Sequence, residues 1–212
     1  MDTIIPNIEL HELEIISLYL TDYKRKLHVR EIARLLKATQ HRTTAVTLQK
    51  LEKKKIMISE KIGKNKIYSL NIQNINTKEY IICAESVQKM KLLEKHFFLK
   101  KLLTDLFPFF EANVTIVPII LFGSYAKGKE TKESDIDIIL FKGHNEKMLA
   151  AKIKEFAKQY HKVIQIQQTT REQFEAGMRE KDPLVVEIVN HHIILNSSQF
   201  FIGMLWRYAH ER

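Results

Sequence analysis

The chain has 212 residues, 45% of them hydrophobic and 28% charged, with six Gly and four Pro, a balance suited to an ordered protein with one large core or two modest ones. No apolar run reaches the ~18 residues that span a bilayer and no basic-then-apolar leader opens the chain, so a soluble, cytoplasmic protein without a membrane partner is expected; the lone Cys83 excludes an intrachain disulfide framework or a multi-thiolate zinc site and is read as a core thiol. The formal charge is +9, of which residues 1–72 hold +6, and this fits a polyanion-facing first third or a Lys-rich solvated surface equally well.

In chain order, "ELHELEIISLYL" (9–20) spaces Leu10, Leu13, Ile16 and Leu20 as one face of a helix, and "HVREIARLLKA" repeats the pattern with Val29, Ile32, Ala33, Leu35 and Leu36. A "TQH" break precedes "RTTAVTLQKLEKKK", a third helix with Ala45, Leu48 and Leu51 turned inward. Its "EKKK" end reads as a solvated face. "IMISEKIGKNKIYSLNI" then alternates on both sides of Gly63-Lys64-Asn65, a hairpin with a basic tip.

Three helices and a hairpin within 72 residues resemble the winged helix-turn-helix of archaeal and bacterial transcription regulators. The resemblance implies DNA binding through the third helix in the major groove and the wing at the phosphates. Carried over by position, Gln40, His41, Arg42, Thr43, Thr44 and Thr47 are exposed candidates on the recognition helix, with Lys61, Lys64 and Lys66 on the wing. Short polar side chains meet base edges, and ammonium groups release counterions from phosphate. A winged helix kept for protein interaction or dimerisation is the alternative.

Residues 77–112 are apolar at helical spacing and carry Phe97, Phe98, Phe107, Phe109 and Phe110. They are expected to pack between domains or to form a homodimer seam, with Pro108 ending or kinking the last helix. From Val114 the period changes. "VTIVPIILFGS" and "DIDIILF" read as buried strands, "AAKIKEFAKQYH" as a helix and "KVIQIQQ" as a third strand, giving a mixed α/β domain. "MLWRYAHER" reads as a terminal amphipathic helix.

The chemistry concentrates in "LFGSYAKGKETKESDIDIIL". Alternation sends Asp135 and Asp137 to one face of their strand. Carboxylates that close repel, and each raises the other's pKa unless a cation lies between them. Mg²⁺, or Mn²⁺, is the hard-oxygen partner, held by one or two carboxylates and substrate phosphates. Gly123 allows close backbone approach, Ser124 offers a hydroxyl, and Lys127 and Lys129 can meet phosphate charge. Such equipment suits phosphoryl or nucleotidyl transfer. His191 and His192, adjacent on a helix-to-strand segment, cannot share one metal and are read as packing or surface residues.

Gly-Ser, ten residues, then Asp-x-Asp resembles the signature of the minimal nucleotidyltransferases of the DNA polymerase β superfamily. "DPLVVEIVNHHIILNSSQFF" resembles the helix and short strand with which such domains often close. The whole chain then resembles an archaeal-type fusion, with an α+β to mixed α/β fold: a winged helix at 1–75, a helical connector at 76–112 and a nucleotidyltransferase domain with a mixed sheet at 113–212. The resemblance implies Asp135 and Asp137 as catalytic metal ligands, nucleotide bound by Gly123, Ser124 and Lys127, and an NTP, ATP first, as donor to a protein or nucleic-acid acceptor. Related domains act as antitoxins that modify a helical toxin, so a toxin-like protein partner is also implied. One departure stands out. The strand expected to supply a third carboxylate carries Gln165 and Gln167, which neither accept a proton nor carry charge; Glu172 and Glu175 could substitute only if the chain bends back. The sequence therefore supports two functions evenly: an active nucleotidyltransferase, or a nucleotide-binding sensor or dimerisation platform in a transcription regulator.

Overall fold

A computed structural model describes residues 7–37, 41–63, 65–112, 118–143 and 145–211. The expected contacts of Gln40 and Lys64 lie outside these residues, and of His41 only the helical backbone is described. The chain forms two compact units, Met1–Val87 with Leu205–Arg212, and Gln88–Met204.

In the first unit, α1 (Leu10–Ser17), β1 (Leu27–His28), α2 (Val29–Leu35), α3 (His41–Lys53), β2 (Met57–Ile62) and β3 (Asn65–Leu70) follow one another, and α4 (Ile75–Lys95) begins there. The strands form an antiparallel sheet in the order β1-β3-β2. The two-residue β1 escaped the helical reading of its segment. Helix α1 stops at Ser17, short of the expected Leu20, and leaves Leu10 exposed. Its Glu12 is fully buried, takes the Glu9 N–H at 3.1 Å and pairs with Lys54 Nζ at 2.7 Å. A buried charge lacking that partner would be strongly destabilising.

Thr44 and Thr47 are corrected by the structure: both are buried, not exposed. On α3 they share the inward stripe with Leu48 and Leu51, which the helical repeat places in line with them. Thr47 satisfies its hydroxyl by donating to Thr43 O at 3.0 Å. The outward face instead presents Arg42, Thr43, Val46, Gln49, Lys50 and Lys53.

The second unit takes in the end of α4, α5 (Phe97–Ala112), β4 (Ile119–Phe122), α6 (Gly123–Lys127), β5 (Ile136–Phe141), α7 (Glu146–Gln159), β6 (Ile164–Thr169), α8 (Arg171–Glu180), α9 (Pro183–Asn190), β7 (Ile193–Asn196) and the start of α10 (Ser198–Glu211). The sheet is mixed, in the order β6-β5-β4-β7, with only β5 and β6 parallel. One face carries Ile136, Ile138, Leu140, Ile119 and Leu121 and packs on Leu99, Leu102 and Leu106 of α5 and on Leu149, Ile153 and Phe156 of α7. The other is closed by an aromatic cluster in which Phe141 meets Phe174 of α8 and Phe201 of α10. Helix α5 therefore belongs to this core.

Pro108 neither ends nor breaks α5, which runs on to Ala112. The carbonyl it deprives is that of Thr104, on the exposed side, where water can replace the missing donor.

Candidate active site

The site grows from the β4–α6 turn. Phe122 ends β4 opposite Asp137 of β5, and Gly123 then turns the chain at φ +70°, a conformation L side chains resist. Space imposes the same choice: a Cβ at position 123 would collide with Asp137 Oδ2 and lie 3.0 Å from its Cγ. Glycine is there because the Asp137 carboxylate lies against the backbone of the turn. Helix α6 is one turn long, and Gly128 closes it in the left-handed region.

Asp137 is half-buried and Asp135 exposed. Burial first, then the charges of Asp135 and Glu187, push the Asp137 carboxyl above its usual range, while Lys127 opposes the shift. The expected proximity of the two aspartates and Lys127 is therefore present. Lys127 does not stand free, since its Nζ pairs with Glu187 Oε1 at 2.7 Å. Ser124, half-buried, accepts the Lys129 N–H at its carbonyl at 3.0 Å.

Glu187 is the site residue that sequence reasoning missed. Helix α9 is held by Asp182, whose Oδ1 accepts from Leu184 N and Val185 N, and by Pro183 in its first turn. Val185 packs so closely on Gly177 of α8 that a Cβ there would fall 2.7 Å from its Cγ2. Glu187 is thus presented from a fixed helix. A single carboxylate in the otherwise apolar "PLVVEIV" was the available signal. A cleft of about 460 Å³ opens between α6 and α9, lined by Lys127, Lys129, Val186, Glu187, Asn190 and His191. His192 turns the other way and is buried, Nδ1 3.1 Å from Ile188 O, so the two histidines do diverge.

On the other flank, Gln165 pairs with Asp137 across the parallel ladder, and its Nε2 donates to Asp135 Oδ2 at 3.4 Å. Glu175 is bound to Arg171 at 2.9 Å. Glu172 lies in the first turn of α8, where backbone and Thr170 hydrogen bonds hold its carboxyl below the usual range. Among the described residues no group of three His, Cys, Asp or Glu side chains could hold a metal ion. The Asp135–Asp137 pair still has the right donor chemistry for a hard cation, since a positive charge there would relieve the strain on Asp137.

In the first unit, Arg42 and Thr43 stand exposed at the start of α3, and Lys61 is exposed on β2 opposite Lys66. Lys66 is engaged internally, 2.7 Å from Glu52 Oε2.

No helix among the described residues is long and apolar enough to cross a membrane. Neither a curated protein nor a solved structure matches the chain. Residues 99–195, however, match the family model of the nucleotidyltransferase domain, a span that runs from within α5 into β7.

Proposed function

We propose that the protein transfers a nucleoside monophosphate from an NTP to a hydroxyl acceptor at the Asp135–Asp137 site. The observation that carries this reading is the packing of Asp137 on Gly123, which brings Gly-Ser, the acid pair and Lys127 to one point. Asp135 and Asp137 would hold Mg²⁺ or Mn²⁺, which supplies charge neutralisation at the phosphates. Lys127 and Lys129 receive the triphosphate in the cleft, and Gly123 leaves the backbone open to it. Lys127 exchanges the Glu187 carboxylate for a phosphate oxygen as the nucleotide enters. The acceptor hydroxyl approaches from the β6 flank, opposite the leaving pyrophosphate.

The first unit we read as a winged helix bound to DNA. Three helices, a three-stranded antiparallel sheet and the exposed Arg42, Thr43, Gln49, Lys53 and Lys61 support it. Arg42, Thr43 and Gln49 would face base edges, and the lysines phosphate.

A specific observation favours a second reading, a nucleotide sensor without transfer. Gln165, where the family resemblance implies a third carboxylate, hydrogen-bonds Asp135. Incubation with each α-labelled NTP and Mg²⁺, together with total cellular protein and RNA, separates the two. Label transfer lost in Asp135→Asn/Asp137→Asn supports the enzyme. Nucleotide binding without transfer supports the sensor.

A further inference from the structure

The nature of the acceptor can be taken further, on the premise that the site transfers a nucleotide. Among the described residues, strand β6 is an outer strand, paired on one side only. Ile136 N–H donates to Val163 O at 3.0 Å and Lys142 N–H to Thr169 O at 2.7 Å. Bonds in a parallel ladder recur at every second residue. With Ile136 opposite Ile164 and Phe141 opposite Thr169, the main-chain groups of Val163, Gln165, Gln167 and Thr169 turn toward β5. Those of Ile164, Ile166 and Gln168 turn outward.

Sheets usually blunt such an edge with a lysine, a proline or a bulge. The strand "IQIQQT" has no charge, no proline and no glycine. This edge also runs beside the acid pair: Gln165 is opposite Asp137 and bonded to Asp135, and Val163, Gln165 and Gln167 are exposed. No cation on β6 would meet a phosphate backbone, whereas a row of amide groups at strand spacing matches another polypeptide.

We propose that the acceptor is a polypeptide segment that adds to the open edge of β6 as an extended strand and presents a Ser, Thr or Tyr hydroxyl to the acid pair. The hydroxyl oxygen bonds to the α-phosphorus, and the bond from that phosphorus to the α–β bridging oxygen breaks. Pyrophosphate leaves with the electron pair, and the hydroxyl proton passes to the acid pair and on to water. The product is a phosphodiester of the side chain.

The test uses the full chain, α-labelled ATP with Mg²⁺, and a synthetic library of octapeptides with a central Ser, Thr or Tyr. A matched set carries N-methyl groups at alternate amides, and total RNA runs in parallel. Gln168→Pro removes an outward N–H while sparing the ladder to β5; Gln168→Ala is its control. Labelling of peptides but not of their N-methylated partners is expected. Gln168→Pro should lower kcat/KM for peptide about tenfold, a little more than one lost hydrogen bond, with NTP binding unchanged. Equal labelling by Gln168→Pro, equal labelling of N-methylated peptides, or label in RNA alone overturns the proposal. So does a dimer that Gln168→Pro dissociates without changing peptide labelling, because the edge would then serve a second copy. If Gln168→Pro fails to fold, the N-methylated set decides with the wild type. Absence of NTP binding would refute the nucleotidyl-transfer reading itself; binding with no label in peptide or RNA refutes transfer alone, and either result also ends this proposal.

Discussion

Replacing Gly123 with alanine tests the site at its most constrained point. The substitution places an L residue at φ +70° and drives a methyl group into the Asp137 carboxylate. Gly128 is a matched control, since it has φ +63° and nothing within 4 Å of a built Cβ. Gly128→Ala therefore carries only the conformational cost, about 1–2 kcal/mol. Gly123→Ala adds overpacking of about 1–3 kcal/mol, so a total of roughly 2–5 kcal/mol is expected. The neighbours cannot yield freely: Asp137 is fixed within β5, and its Cβ is itself 3.2 Å from the added methyl. A shift of the carboxylate by about 1 Å should lower transfer around 10²-fold. Chemical denaturation of both variants, with labelling from α-labelled NTP, provides the comparison. Equal destabilisation of the two, with transfer retained in Gly123→Ala, would refute the contact between turn and carboxylate.

Three further outcomes follow from named contacts. Asp137 has a folded-state pKa raised above its unfolded value, so its ionisation opposes folding: stability is fully present below the unfolded pKa and declines as pH rises through the folded one. Asp137→Asn should thus raise the melting temperature at pH 7, with the gain vanishing in acid below the carboxylate range, and Mg²⁺ should stabilise wild type but not the variant; melting curves from pH 3 to 8 check both. Glu187→Gln releases Lys127, and NTP binding measured by calorimetry should tighten by up to about fivefold; a tenfold weakening with loss of transfer would instead make Glu187 a participant in the chemistry. Thr44 is buried with a hydroxyl that has no partner among the described residues, so Thr44→Val should leave stability unchanged or raise it and leave the DNA affinity proposed for the first unit unaltered, as denaturation and a filter-binding assay would report.

What was legible in the sequence was what depends on neighbours along the chain. Gly-Ser and Asp-x-Asp lie within fifteen residues, at the facing ends of two strands joined by one short helix, so their spacing already encodes their meeting. Helical and alternating patterns located α3, β5 and α7 to within a few residues. Contacts across the fold were not readable this way. Glu187 reaches Lys127 over 60 residues through the packing of α8 on α9, and no local pattern announces that. Thr44 and Thr47 look exposed on polarity alone, but the repeat that buries Leu48 and Leu51 buries them too. The alternating pattern puts Lys66 on the hairpin, but its pairing with Glu52 depends on how α3 lies on the sheet.

The division of the chain also bears on how it is made. Residues 205–212 belong with the first unit, where the Trp206 ring lies 6.2 Å from that of the buried Tyr23. On a ribosome, domains usually mature in the order of their emergence. Here the last contacts of the first unit await a segment synthesised more than a hundred residues after Val87, once Gln88–Met204 has already been made.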